Sequence, residues 1–159
     1  MNIHFGFSWV GLIIFLLPML INILYAIFPP KSNGGEGDTQ NRKFPILEAI
    51  EHGTRIAYAV ILCILISNKS LNYTNSLLYI SIVFLILYYI VWIRYFVGGR
   101  DTKLLGTKFL FIPMPLAVFP VLYFIFASLW MNNYIATGVM LVFGIVHNII
   151  SYQTLFTKK

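Results

Sequence analysis

Long apolar segments separated by short polar ones constrain this sequence more than any other feature. Each of four segments contains at least 22 residues, nearly all of them apolar: Phe7–Phe28, Ser76–Val97, Phe109–Trp130 and Tyr134–Phe156. An α-helix of about 20 apolar residues crosses the ~30 Å hydrocarbon core of a bilayer, and it satisfies its backbone hydrogen bonds internally. The sequence therefore predicts a transmembrane helix in each of these segments.

A fifth segment, Ile46–Ile66, is less regular. Its second half, Ile56–Ile66, is apolar but only 11 residues long, which is too short to cross the core. A full span has to include the charged first half, and a re-entrant segment is the alternative. We expect a full span, because Ser76–Val97 would otherwise begin on the wrong side of the membrane. The polar, glycine-containing residues 29–45 are predicted to form a flexible loop.

The positions of lysine and arginine indicate the orientation, because positive residues in short loops are retained on the cytoplasmic side. With the amino terminus outside, Lys69 alone faces outward, whereas eight basic residues face the cytoplasm: Lys31, Arg42, Lys43, Arg100, Lys103, Lys108, Lys158 and Lys159. We therefore predict an all-α membrane domain over residues 1–159. Its five helices lie at about 7–28, 46–66, 76–97, 109–130 and 134–156, with the carboxyl terminus in the cytoplasm.

Composition excludes several other classes of protein. The chain is 59% hydrophobic and 10% charged, whereas average soluble domains are about 25% charged. A soluble fold of this composition would expose large apolar patches. The net charge of +6 comes from basic residues at the ends of apolar segments, which favours membrane lipids rather than nucleic acid as the partner. Cys63 is the only cysteine, so no disulfide framework is expected.

Titratable residues collect on one face of the second helix. At 100° per residue, an arc of about 100° contains Glu48, Glu51, His52 and Arg55. The i,i+4 spacing of Glu51 and Arg55 suits an ion pair within the helix. On the fifth helix His147 and Ser151 share a face, and His147 lies at a depth similar to that of His52. Because charges inside a bilayer usually face partners or water, these six residues are the candidate lining of a cytoplasm-facing, ligand-binding cavity.

A purely structural interpretation of the same residues stays open. A Glu–Arg pair can cancel its own charge and fix helix packing, and residues near the cytoplasmic end can extend to the interface. Asn22 shares a face with Pro18 on the first helix, as Tyr88 does with Trp92 on the third. Ordinary helix packing or interfacial anchoring is the simpler explanation of these pairs.

Motifs for metal, cofactor and catalytic chemistry are not recognisable in the sequence. His52 and His147 could together hold a metal ion or clamp a haem, but no known ligand spacing accompanies them, so neither is predicted. The sequence contains no phosphate-binding glycine loop, nucleophile elbow or zinc-protease helix. An enzyme is therefore not the leading interpretation, and no catalytic residue is assigned.

Five stretches of the chain carry a resemblance. They are FSWVGLIIFLLPMLINILY at Phe7–Tyr25, LEAIEHG at Leu47–Gly53, WIRYF at Trp92–Phe96, IPMPLAVFPVLYF at Ile112–Phe124 and GIVHNIISYQ at Gly144–Gln153. In these stretches the chain resembles an uncharacterised group of small multi-pass membrane proteins from Gram-positive bacteria. The resemblance implies a multi-pass protein of the bacterial cell membrane, and it implies no activity.

Three functions remain open at this point. The first is binding or passage of a small molecule or lipid through the polar cavity. The second is a non-catalytic role, as an accessory subunit, a member of an oligomer or an immunity-type membrane protein. The third is an enzyme acting on a lipid or isoprenoid, in which Glu48 or His52 would be the general base.

Overall fold

The computed structural model describes residues 3–30, 45–101, 104–105 and 107–156, which form five α-helices and two short strands. In chain order these are β1 (Ile3–Phe5), α1 (Trp9–Ile27), α2 (Pro45–Ile64), β2 (Leu65–Ser67), α3 (Ser76–Val97), α4 (Pro115–Trp130) and α5 (Tyr134–Phe156). The all-α class is confirmed. Most of the predicted loop over 29–45 lies outside the described residues, as do six of the basic residues that set the predicted orientation: Lys31, Arg42, Lys43, Lys103, Lys158 and Lys159.

Three of the helices are long and apolar enough to cross a membrane: α1, α3 and the Tyr134–Thr154 portion of α5. Helix α4 is apolar but has 16 residues, and α2 carries Glu48, Glu51 and Arg55. Each of the two helices has fewer apolar residues than the roughly 20 that a helix needs to cross the membrane. Five spans and their orientation therefore stay predictions.

The five helices pack side by side in a closed ring. Helix α1 contacts α2 and α3, α2 contacts α5, α5 contacts α4, and α4 contacts α3. Helix α1 also contacts α4. The ring order is therefore α1, α2, α5, α4, α3, with α2 and α5 on one side and α1 and α3 on another. This arrangement leaves space at the centre that all five helices can line.

The two strands hold one end of the bundle together, and we call it the ribbon end. β1 and β2 pair antiparallel, with Ile3 opposite Ser67. Beyond the pair, the backbone N–H of Ser8 donates to the carbonyl of Cys63 at 2.8 Å. This bond satisfies a carbonyl at the end of α2 that has no partner within the helix. The Ser8 side chain in turn caps α1 by accepting from the N–H of Gly11 at 3.0 Å.

Helices α1 and α2 approach closely at the ribbon end. A Cβ placed on Gly11 would lie 2.2 Å from the carbonyl oxygen of Leu62, so only glycine allows this contact. The fully buried residues of α1 are Gly11, Ile14 and Pro18, all in its first half. The second half of α1 is consequently less enclosed by the bundle than the first.

Asn133 joins the turn between α4 and α5 to the ribbon end. Its side chain is 1% exposed, and its Oδ1 accepts from the N–H of Ala136 at 3.0 Å, which caps α5. Its Nδ2 donates to the carbonyl oxygen of Leu65 at 2.9 Å and to that of Ile61 at 3.3 Å. One amide therefore fixes the start of α5 against the end of α2.

Pro18 interrupts the hydrogen bonding of α1, as a proline inside a helix does. It has no N–H to donate to the carbonyl of Ile14, four residues earlier. The hydroxyl of Tyr123 on α4 donates to that carbonyl at 2.9 Å. The hydroxyl of Tyr89 on α3 donates to the neighbouring carbonyl of Leu17. The part of α1 around Pro18 is thus stabilised by tyrosines from two other helices, α3 and α4.

The fourth helix begins at Pro115 instead of at residue 109, where the apolar segment begins. Residues 109–112 form a tight turn in which the backbones of Phe109 and Ile112 exchange hydrogen bonds of 3.0 and 2.9 Å. Leu110 and Phe111 have positive φ, 47° and 68°, which ends regular helix. Likewise α2 ends at Ile64, because Leu65–Ser67 pairs with β1. Apolar character alone did not distinguish these turns and strands from helix.

Arg94, at the end of α3, holds the segment that follows it. Its Nη2 donates to the carbonyl oxygen of Leu104 at 2.9 Å and also contacts the hydroxyl of Thr107. Its guanidinium lies 5.8 Å from the centre of the Phe109 ring, a cation–π distance. Arg94 therefore holds Leu104, Thr107 and Phe109 against the end of α3.

Candidate functional site: a cavity at the centre of the five helices

A cavity of about 290 Å³ lies at the centre of the helix ring, and all five helices contribute to its wall. Most of the wall is apolar: Phe15, Pro18, Met19, Leu116, Pro120, Val121, Phe124, Met140 and Phe143. The remaining lining residues can form hydrogen bonds: Asn22, Arg55, Tyr58, Tyr88, Trp92 and His147. An apolar wall with a few polar groups is the usual composition of a small-molecule site.

Pro18 and Pro120 belong to this wall. Each lacks the N–H that would bond the carbonyl four residues earlier. For Pro18 that carbonyl is already bonded by Tyr123. For Pro120 it belongs to Leu116, which itself lines the cavity. The internal prolines of α1 and α4 therefore border the same cavity.

A cluster of three charged or titratable side chains forms the α2–α5 side of the cavity. Oε1 of Glu51 lies 2.6 Å from Nη2 of Arg55, within α2, and 3.0 Å from Nδ1 of His147 on α5. The Glu51 side chain is 10% exposed, whereas those of His147 and Arg55 are 25% and 49% exposed. The carboxylate is thus buried behind two basic groups that both reach the cavity.

Phe143 positions the two basic groups of this cluster. Its ring stacks on the imidazole of His147, with centres 5.0 Å apart and planes inclined by 13°. The guanidinium of Arg55 lies 5.5 Å from the centre of the same ring. A cation over an aromatic face is stabilised, particularly where water is scarce. Arg55 consequently contacts both Glu51 and Phe143, and its side chain stays 49% exposed.

A second polar group lies on the α1–α3 side. The hydroxyl of Tyr88 donates to Oδ1 of Asn22 at 3.0 Å. The indole N–H of Trp92, one turn along α3, is buried and has no hydrogen-bond partner among the described residues. Buried polar groups are nearly always bonded, so this N–H is an unusual donor among the residues that line the cavity.

The two polar groups lie at about the same depth in the bundle. Asn22, Tyr88, Glu51 and His147 each lie twelve or thirteen residues from the ribbon end of their helices. At a rise of 1.5 Å per residue, this is roughly 18–20 Å from that end. The cavity therefore has an apolar body and polar groups on two of its sides, in the half of the bundle away from the ribbon end.

The structure brings together three of the six residues proposed from the sequence: Glu51, Arg55 and His147. The ion pair predicted from the i,i+4 spacing is present. His52 is exposed, Glu48 and Ser151 are half-buried, and the residues that line the cavity do not include these three. The histidine that approaches the charged cluster is thus His147, and its partner is Glu51.

The sequence interpretation did not assign Asn22, Tyr58, Tyr88 or Trp92 to the site. Their signal was present, because polar side chains on one face in the middle of an apolar helix can mark a cavity. From the sequence alone, helix packing or interfacial anchoring was the simpler explanation of Asn22, Tyr88 and Trp92, and Tyr58 was not singled out. Tyr58 contributes both to the cavity and to helix packing, since it lines the cavity and its hydroxyl donates to the carbonyl of Phe124 on α4 at 3.1 Å.

Within the described ranges, no three His, Cys, Asp or Glu side chains come together as metal ligands would. His147 already contacts Glu51, and His52 points to the surface of the bundle. We therefore base no chemistry on a metal ion or a haem.

Comparisons with known proteins give no relative for this chain. No protein-family model, no curated protein and no solved structure matches it. The fold and the cavity thus define the chain as a helical bundle with three membrane-length helices and a central polar–apolar cavity.

Proposed function

We propose that this chain is a multi-pass protein of the bacterial cell membrane that binds a small amphipathic molecule or lipid in the central cavity. The observation that carries the proposal is the combination of a largely apolar cavity of about 290 Å³ with Arg55 and His147 in its wall, both of which contact the buried Glu51 behind them. Charged groups inside a membrane bundle are rare and usually serve a ligand, an ion or a proton.

In the membrane, we propose that all five helices span, with the amino terminus outside and the carboxyl terminus in the cytoplasm. The ribbon end is then the outer end, and the basic connection that contains Arg100 and Lys108 is cytoplasmic, as the positive-inside rule requires. Helices α2 and α4, which are shorter or more polar, are supported by neighbours on both sides in the ring. The charges of α2 are tolerated because Glu51 faces Arg55 and His147.

This orientation places the polar half of the cavity toward the cytoplasm. Glu51 lies six residues from the start of α2, or about 9 Å along the helix. The side chain of Arg55 reaches back to the same level, because Cα–Cβ bonds tilt toward the helix N-terminus and its guanidinium contacts Glu51. A ligand with one polar end would therefore enter with that end nearer the cytoplasmic surface.

A matched pair of substitutions tests binding in the cavity. Met140 lines the cavity and is 2% exposed, whereas its neighbour Leu141 is 48% exposed on the outside of the bundle. Met140→Trp should obstruct the cavity and displace any co-purified small molecule, while Leu141→Trp should leave it bound. The measurement is mass spectrometry of solvent extracts from equal amounts of purified wild type and both variants.

Equal amounts of co-purified molecule in Met140→Trp and wild type would contradict the proposal. To separate loss of ligand from loss of folding, both variants should elute at the wild-type position in size-exclusion chromatography and retain the same helical circular dichroism.

A non-catalytic accessory role is the second candidate. It is favoured by the fact that Glu51 already has two partners within the chain, as in a cluster that only fixes helix packing. It predicts that Arg55→Leu lowers stability without changing any bound molecule. We do not propose a lipid-modifying enzyme, because Glu48 and His52, its candidate bases, are not among the residues that line the cavity.

A further inference from the structure

Arg55 keeps hydrogen-bonding capacity that the described part of the chain does not use. A guanidinium has five N–H donors. Among the described residues, the one hydrogen bond of the Arg55 side chain runs from Nη2 to Glu51. The side chain lines the cavity and is 49% exposed. Donors of Arg55 therefore remain available at the cavity wall.

The contacts of Glu51 leave donors of Arg55 available to a further anion. A single oxygen of Glu51 faces both Arg55 and His147, so one carboxylate serves two basic side chains. Glu51 is buried behind them, and it holds the guanidinium in place instead of occupying the cavity itself. Arginine in this position favours carboxylate or phosphate, whose oxygens match its planar array of donors.

The rest of the wall suits an apolar chain. The wall contains the aromatic rings of Phe15, Phe124 and Phe143, and it also contains two methionines, Met19 and Met140. Methionine is flexible and adapts to ligands of irregular shape. The cavity volume of about 290 Å³ is at the small end of the roughly 300–1,000 Å³ found for ligand sites. This size favours one alkyl or isoprenoid chain over the two chains of a phospholipid.

We infer that the ligand is a single-chain amphipathic anion, whose carboxylate or phosphate binds Arg55 and whose chain lies in the aromatic part of the cavity. The inference rests on the proposed function and specifies the chemical class of its ligand. Glu51 and His147 act as positioning residues, because they fix the guanidinium from behind. The ligand could be a free fatty acid or the phosphate ester of a lipid alcohol, since both present the same chemistry to Arg55.

Three probes of equal chain length test the inference on the unaltered protein. Delipidated protein is titrated with dodecanoate, dodecyl phosphate and neutral dodecanol, and the bound fraction is measured by native mass spectrometry. At least one anion should bind about tenfold or more tightly than dodecanol, which is the gain expected from a hydrogen bond to a charged group. The tighter of the two anions identifies the headgroup.

Equal binding of all three probes would overturn the inference and leave the proposed function standing, because the cavity would then recognise only the chain. If none of the three binds, both the inference and binding of alkyl ligands in the cavity fail. These outcomes do not depend on any variant being well folded.

Substitutions of Arg55 test whether this side chain is responsible for the preference for an anion. In Arg55→Gln the affinity for the preferred anion should fall about tenfold, to that of dodecanol, while dodecanol binding stays the same. Arg55→Lys should keep most of the preference, because it retains the charge. Lys108→Gln is the matched control, since Lys108 is exposed and is not part of the cavity wall. An unchanged preference in Arg55→Gln would overturn the assignment to Arg55.

Discussion

The hydrogen bond from Tyr123 to Ile14 allows the most direct energetic test of the packing around the cavity. Pro18 deprives the Ile14 carbonyl of its helical donor, and the Tyr123 hydroxyl supplies a replacement at 2.9 Å. Tyr123 is 3% exposed and Ile14 7%, so water cannot take over this role. Tyr123→Phe should therefore leave a buried carbonyl without a donor.

We expect Tyr123→Phe to lower the free energy of unfolding by about 1–2 kcal/mol. A buried group left unbonded costs about 1–3 kcal/mol, and hydrogen bonds between membrane helices have measured values of at most about 1.7 kcal/mol. The free energy can be obtained from reversible unfolding of the detergent-solubilised protein by sodium dodecyl sulfate, followed by circular dichroism.

A double-mutant cycle isolates the role of Pro18. Pro18→Ala restores an N–H that can donate to Ile14 within α1. In that background Tyr123→Phe should cost less than half of what it costs in the wild-type protein. An equal cost in both backgrounds would refute the reasoning, since Tyr123 would then stabilise the bundle without replacing the donor that Pro18 removes.

Three further predictions follow from other parts of the structure. Asn133→Ala should lower the free energy of unfolding by about 1–3 kcal/mol, because it removes the cap of α5 and the donor to the carbonyls of Ile61 and Leu65. Asn132→Gly is the control in the same unfolding assay, because the described hydrogen bond of the Asn132 side chain stays within its own turn and glycine suits the positive φ of 55° at this position. Arg94→Gln should raise the hydrogen-exchange rate of Leu104 and Thr107 and leave that of the ribbon end unchanged; equal protection in both proteins would contradict the role given to Arg94. In a Cys63→Ala background, a cysteine at Lys69 should react with a membrane-impermeant maleimide added to intact cells, whereas one at Lys108 should react only after the cells are opened; the reverse pattern would contradict the proposed orientation.

The helices that are apolar from end to end could be predicted well from the sequence. Helices α3 and α5 have the predicted bounds, and those of α1 agree to within two residues. Their boundaries coincide with the change from apolar to polar residues. The start of α4 could not be found in this way, because the turn at Phe109–Ile112 is as apolar as the helix after it. The strands were also missed, since three residues are too few for an alternating pattern to be recognised.

The candidate site could be predicted within a helix but not between helices. The Glu51–Arg55 pair follows from i,i+4 spacing alone. Which histidine joins the pair depends on how α2 and α5 are rotated against each other, and sequence spacing does not determine that rotation. Glu51 and His52 differ by 100° around α2. The rotation of α2 about its own axis therefore determines which of these two side chains faces His147.

The central claim is that the five helices enclose a binding site for one small molecule. Native mass spectrometry of the wild-type protein, extracted gently from the membrane in which it is produced, tests it most directly. The account predicts a species heavier than the 18.3 kDa chain by the mass of one amphipathic molecule, and this species should be lost in Met140→Trp and retained in Leu141→Trp. A single peak at the mass of the bare chain, unchanged when single-chain amphiphiles are added, would contradict it.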